Sequence, residues 1–167
     1  MKEHLKKLHD IDWASWTAKD RATLVFVVKD AQILLIRKKR GLGAGKINAP
    51  GGRIEPGESP VECAVREAQE ELHITPVAPV YRGENLFQFV DGYSIHVHVF
   101  WSGDFEGEPT ETDEAIPVWV PVDAIPYEEM WEDDYLWVPL VLSGTRFLGR
   151  YLFDDDVMLD HKLEVLS

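Results

Sequence analysis

Cysteine is nearly absent. Cys63 is the one thiol in 167 residues, so neither a disulfide framework nor a cysteine-based zinc site can be built. Basic residues are scarce too, 17 against 30 acidic ones, for a net charge of −13. A field of that sign opposes DNA and RNA polyanions, so nucleic acid is not an expected partner. No apolar run reaches the ~20 residues that a membrane-spanning helix needs, and the N-terminus lacks a signal-peptide core. The expectation is a cytoplasmic protein with no membrane partner. Repeats, low-complexity tracts and long linkers are missing as well, and the length suits one domain with a substantial core. A monomer is the simplest state consistent with this.

What is present concentrates between Gly52 and Ile74, in the run GRIEPGESPVECAVREAQEELHI. Ser59 is a good helix N-cap, Pro60 suits the first helical position, and Glu62 completes a capping box. At about 100° per residue, Val61, Ala64, Val65, Ala68 and Leu72 are expected to form an apolar stripe facing a core. Glu67, Glu70 and Glu71 stand at i, i+3 and i+4 and are expected to converge beside it. Arg66 can reach back to hold a carboxylate with a forked hydrogen-bond pair. Gly51-Gly52 and Pro56-Gly57 allow tight folding that brings Glu58 toward the same point. Carboxylates this dense repel one another unless a cation sits among them. All the donors are oxygens, which selects a hard cation, Mg²⁺ or Mn²⁺, over zinc. A charge run is ordinarily a solvated helix face; the glycine-rich approach, the embedded arginine and the cap weigh against that here.

Elsewhere, Ala22–Val28 and Gln32–Arg37 read as strands, and Asn85–Val90 with Ser94–Trp101 as a hairpin around Asp91-Gly92. Val118–Val120 is a short strand, Tyr135–Leu142 a second helix, and Phe147–Phe153 with Met158–Val165 a closing hairpin. Gly103–Thr112 reads as a loop. Residues 1–20, with Leu5, Leu8, Ile11, Trp13 and Trp16, form an N-terminal helix or arm on a single domain spanning 21–167. Arg37, Lys38, Lys39, Arg40 and Lys46 make a local basic cluster able to receive phosphate, with the outer members solvated. Cys63 reads as a buried thiol, not a nucleophile. His96 and His98 share one strand face, but no cysteine or third histidine is paired with them, so cross-strand packing is the reading. Asp154-Asp155-Asp156 lacks the spaced ligands of a calcium loop and reads as a turn.

Gly52, Glu58, Arg66, Glu67, Ala68, Glu70, Glu71 and Ile74 fall in register with the signature of the Nudix hydrolases, which the chain resembles. His73 is the departure, standing where the family usually has a helix-ending glycine. The resemblance narrows outside this box. Lys38-Lys39-Arg40-Gly41-Leu42-Gly43-Ala44-Gly45-Lys46-Ile47-Asn48, Leu86-Phe87-Gln88-Phe89, His96-Val97-His98-Val99-Phe100, Glu111-Thr112-Asp113-Glu114 and Met130-Trp131-Glu132-Asp133-Asp134 look like the MutT branch that hydrolyses oxidised purine nucleoside triphosphates.

The resemblance implies an α/β Nudix fold, a mixed β-sheet sandwiched between α-helices. It implies metal held by Glu67, Glu70 and Glu71, with Glu114 as a further ligand or base and Arg66 as their support. Asn48 would bond the base edge, Trp131 stack on the purine, and Asp133 and Asp134 bond its polar edge. Phe87 and Phe89 would wall the pocket, with Thr23, Lys38, Gly51 and Gly52 lining it or its phosphate end. Leu42 replaces an aromatic residue and loses a ring contact. An 8-oxopurine carries N–H at N7, which a carboxylate accepts, and two adjacent buried acids perturb each other so that one can stay protonated. Duller roles exist: the two aspartates can simply open a helix, and Trp131 can anchor a core. The expected reaction is metal-assisted hydrolysis of a small nucleotide to the monophosphate and pyrophosphate. Its rivals are another diphosphate-linked substrate, including an RNA 5′ end, and a non-catalytic nucleotide sensor.

Overall fold

The computed structural model describes residues 4–166. Two apolar runs set the architecture. β1 (Asp20–Lys29) and β2 (Gln32–Lys38) pair antiparallel and are buried on both faces. Phe26, Ile33 and Leu35 enter one core, while Val25, Val27, Leu34 and Ile36 enter the other. Strict alternation explains why both runs are continuously apolar: each successive side chain meets a different core.

β3 (Ile47–Asn48) and β4 (Gly51–Arg53) follow, then α1 (Pro60–Leu72), β5 (Ile74–Pro76), β6 (Val80–Phe89), β7 (Ser94–Ser102), β8 (Phe105–Gly107) and β9 (Ala115–Pro121). α2 (Asp134–Ser143), β10 (Arg146–Asp154) and β11 (Val157–Leu166) complete the order. The large sheet runs β11-β10-β6-β7-β1-β2-β3, with β4 on β1 and β9 on β2; β5 and β8 pair separately. It is mixed, since β1–β7 and β6–β10 are parallel and the other pairs antiparallel. Ala64, Ala68 and Leu72 of α1 pack on one face, and Trp137, Val138 and Val141 of α2 on the other. The mixed sheet between helices is thus observed.

Several boundaries differ from expectation. β6 starts at Val80, because its irregular register near Tyr81 and Gly83 hides the alternation. The segment expected as a loop over Gly103–Thr112 contains β8. In α1 the buried residues are Cys63, Ala64, Ala68, Glu71 and Leu72. Val61 is exposed and Val65 only half-buried, which corrects the expected stripe. The helix is rotated so that its carboxylates, not its valines, face the Gly51-Gly52 strand.

Of the expected arm, residues 1–3 lie outside the described residues; from residue 4 it is an arm with one 3₁₀ turn at Leu8–Asp10. It is tied down by Leu8 N–H to Asp160 Oδ2 at 2.9 Å and Trp16 Nε1 to Gln88 Oε1 at 2.9 Å. Leu5 is buried and the Arg150 guanidinium lies over Trp13. Among the described residues, no helix is long and apolar enough to cross a membrane.

Candidate active site

α1 begins as its sequence dictates. Ser59 Oγ accepts from Glu62 N–H at 3.2 Å, and Glu62 Oε1 accepts from Ser59 N–H at 2.8 Å. It ends on His73, which takes the left-handed conformation itself, φ 61 and ψ 34. Between these ends Arg66 grips Glu58 with Nε and Nη2 at 2.7 and 3.0 Å, the expected fork. That contact holds Glu58 down at a pKa of about 2. Arg66 Nη1 also donates to Glu67 at 2.9 Å and Glu70 at 3.1 Å.

Glu67, Glu71 and Glu114 bring one carboxylate oxygen each within 4.8 Å of one another. Glu70 is not in that set; it turns toward Arg66 and solvent. Two glycines make room. A Cβ on Gly51 would sit 1.9 Å from the Thr23 carbonyl, and one on Gly52 would sit 2.4 Å from Glu67 Cδ. Gly51 N–H donates to Glu71 Oε1 at 2.9 Å. The loop carrying Glu114 is fixed by Thr112 Oγ1 donating to the Glu71 carbonyl at 2.8 Å, and by Lys39 N–H donating to the Glu114 carbonyl.

Burial pushes Glu71 up to about 8, and burial also raises Glu67. Arg66 pairs with Glu67 and Arg40 with Glu114, but Glu71, almost fully buried, makes no ion pair among the described residues, and the three converging carboxylates fit a divalent cation. Their all-oxygen donor set suits Mg²⁺ or Mn²⁺.

This cluster is one end of a cavity of about 610 Å³. Thr23, Lys38, Asn48, Gly51, Gly52, Phe87, Phe89, Trp131, Asp133 and Asp134 all line it, as do Glu67, Glu71 and Glu114. Glu58, expected to converge there, is instead held away by Arg66. Arg66 and Glu70 do not line it either. Those two stand behind it. Thr23 Oγ1 donates to Cys63 Sγ at 3.3 Å, and the thiol reaches the Gly52 and Arg53 carbonyls. Asn48 Oδ1 accepts from Ala49 N–H, leaving its amide NH₂ for the cavity. Burial lowers the pKa of Lys38, whose Nζ donates to the Leu42 carbonyl at 2.8 Å.

The other end is aromatic and acidic. Trp131 stands edge-on to Phe89 and Phe153, with Lys46 Nζ 5.2 Å from its ring centroid. Gly43, at φ +80, packs so closely that a Cβ would lie 2.8 Å from Trp131 Nε1. Asp133 and Asp134 do open α2, but Asp133 makes no side-chain cap bond. Asp133 Oδ2 instead accepts from Trp137 Nε1 at 2.6 Å, and Oδ1 has no partner. Both acids are buried. Burial pushes Asp133 up to about 6 and Asp134 well above the usual range, the charge of Asp133 adding to the latter.

Of the basic cluster, Lys38 and Arg40 line the cavity, whereas Arg37 and Lys39 pair with Glu129 and Glu111 outside it. Arg53 and Asn85 line it without having been expected. Asn85 is fully buried; its Oδ1 accepts from Tyr151 O–H at 2.8 Å and its Nδ2 is unpartnered. Alternation with Phe87 and Phe89 already placed Asn85 on their face. Nothing local marked Arg53.

A NUDIX domain model matches residues 18–141. The chain is 44% identical over 144 residues to the oxidized purine nucleoside triphosphate hydrolase of Danio rerio, covering 85% of this chain and 92% of that one. It is 38% identical to the Mus musculus protein of the same name, covering 84% and 92%. Among solved structures, a MutT protein from Bacillus halodurans superposes with a TM-score of 0.77 at 28% identity, covering 87% and 97%. A family model across most of the chain, and relatives aligned along most of both lengths, agree with what the folded helix displays: the chain belongs to the Nudix hydrolases.

Proposed function

We propose that this enzyme hydrolyses oxidised purine nucleoside triphosphates, such as 8-oxo-dGTP, to the monophosphate and pyrophosphate, with Mg²⁺ as its metal and Mn²⁺ as a substitute. The observation that carries the reading is the pairing of two ends in one cavity: a carboxylate cluster at one, and two buried aspartates beside Trp131 at the other. The names of the zebrafish and mouse relatives support the same substrate class.

In this reading Glu67, Glu71 and Glu114 hold the metal, and Glu70, which shares the Arg66 Nη1 donor with Glu67, supplies a further carboxylate by side-chain rotation. A divalent cation bound there neutralises charge on the phosphates and acidifies water. Lys38, Arg40 and Arg53 receive the phosphate oxygens. One of the site carboxylates takes the proton of the attacking water. Asn48 offers its amide to the base edge, Trp131 stacks on the ring, and Phe87 and Phe89 wall it. Burial favours the protonated form in the Asp133/Asp134 pair, which then presents both a donor and an acceptor. That matches an 8-oxopurine, whose N7–H donates beside a carbonyl acceptor, better than guanine, whose N7 only accepts. Thr23, Gly51 and Gly52 shape the floor. The accompanying expectation is a cytoplasmic monomer.

The test is pyrophosphate release, with and without Mg²⁺, across normal and oxidised purine triphosphates compared as kcat/KM. The expected outcome is Mg²⁺-dependent turnover with a preference for an oxidised purine, reduced when Asp133 or Asp134 becomes asparagine. Equal, slow rates across the panel would overturn the substrate and leave the metal chemistry.

A further inference from the structure

His96 and His98 project from one face of β7, and the sequence shows no partner for them beyond cross-strand packing. The fold supplies one. In the β6–β7 register Glu84 lies directly opposite His98, with His96 two residues along the same face. One ligand atom from each of the three lies within 4.8 Å of the others. His96 Nε2 is 2.5 Å from Glu84 Oε1, and the two imidazoles stack with centroids 4.4 Å apart and planes 25° apart. The Tyr81 hydroxyl donates to the other oxygen of Glu84, leaving Oε1 turned to the histidines. None of the three lines the nucleotide cavity.

We propose that Glu84, His96 and His98 form a second metal site, for a borderline divalent cation of the Zn²⁺ class. Two imidazole nitrogens and one carboxylate oxygen are the donors that such a cation favours and that Mg²⁺ does not. Three protein ligands leave a fourth position for water. Zinc–ligand distances of about 2.0–2.2 Å in a tetrahedron set donors about 3.3–3.6 Å apart, so His96 Nε2 and Glu84 Oε1, at 2.5 Å, separate slightly to admit the ion. Side-chain rotation on a rigid strand pair supplies that movement. The Tyr81–Glu84 bond provides the outer support that ligating carboxylates commonly have. The opposing group is Arg21, whose Nη2 lies 3.2 Å from His98 Nε2. Arg21 is an exposed residue, so its guanidinium can swing into solvent when a cation enters. A purely structural role would need only the His96–Glu84 pair, not a second imidazole stacked on the first.

The experiment is calorimetric titration of the full chain with Zn²⁺ in saturating Mg²⁺, repeated with Co²⁺ to read its visible absorption. One Zn²⁺ per chain is expected in the wild type and in Glu67→Gln. The affinity should fall by about tenfold or more in His96→Ala and in Glu84→Gln. The His96 side chain is 25% exposed, so its removal leaves the core in place, and a thermal melt of each variant checks this. Absence of Zn²⁺ binding in saturating Mg²⁺ would overturn the proposal. So would binding that survives both His96→Ala and Glu84→Gln but disappears in Glu67→Gln, which would assign the ion to the carboxylate cluster.

Discussion

Glu71 is held in conflict: its carboxylate accepts a bond from Gly51 N–H, yet it is buried beside two other acids. Burial raises it to about 8 from an ordinary 4.5. Between those values the folded state keeps a proton that the unfolded chain has released. Metal-free stability therefore falls as pH rises from about 4.5 to about 8, by up to ~1.4 kcal/mol per pH unit for this group. Urea unfolding of metal-free protein across that range should show the slope. Glu71→Gln should flatten it, saturating Mg²⁺ should suppress it, and turnover of that variant should drop by about 10²-fold. An identical slope in variant and wild type would refute this. His73 gives a second test, because a residue with a Cβ sits in the left-handed region at the end of α1. His73→Gly should raise unfolding free energy by about 0.5–1 kcal/mol, with turnover unchanged.

At the level of elements, β4 and α1 act as a matched pair. Gly51 faces backbone and Gly52 faces a flexible side-chain end, so two chemically identical changes should fail differently. Gly52→Ala should keep the fold and push Glu67 aside, lowering kcat by about 10²-fold. Gly51→Ala collides with the Thr23 carbonyl and should destabilise by about 1–3 kcal/mol or more. Circular dichroism melts beside kinetics would separate the two. Much of this was readable beforehand. The cap, the Arg66–Glu58 fork and the long strands carry strong local signals, since Ser59-Pro60 and alternating valines and isoleucines each have one dominant structural meaning. β3, β4, β5 and β8 are two or three residues long and show no period. The rotation of α1 was hidden because Val61 and Val65 look like core, and only the missing Cβ atoms of the facing strand show why carboxylates take that face. Arg53 joins the cavity through tertiary placement alone.

Across the whole molecule, α1 brings the carboxylates to one face of the sheet and α2 brings Asp134 to the other, so the cavity links the two layers around β1 and β4. A net charge of −13 is compatible with a phosphate-bearing ligand because Lys38, Arg40 and Arg53 are gathered on its wall. The same layering seals the only sulfhydryl. Cys63 sits on the buried face of α1 with no exposed surface, bonded to Thr23 and the β4 carbonyls, and burial lifts its pKa to about 11. A thiol-specific disulfide reagent should find no fast-reacting group in the native protein and one equivalent after denaturation; a fast native reaction would contradict this. In the role proposed above, clearing oxidised nucleotides, the enzyme works in the oxidant load that produces them. Peroxide reacts with thiolate, and this chain offers almost none. Cys63 is therefore expected to escape oxidation through the same packing that seats the site carboxylates.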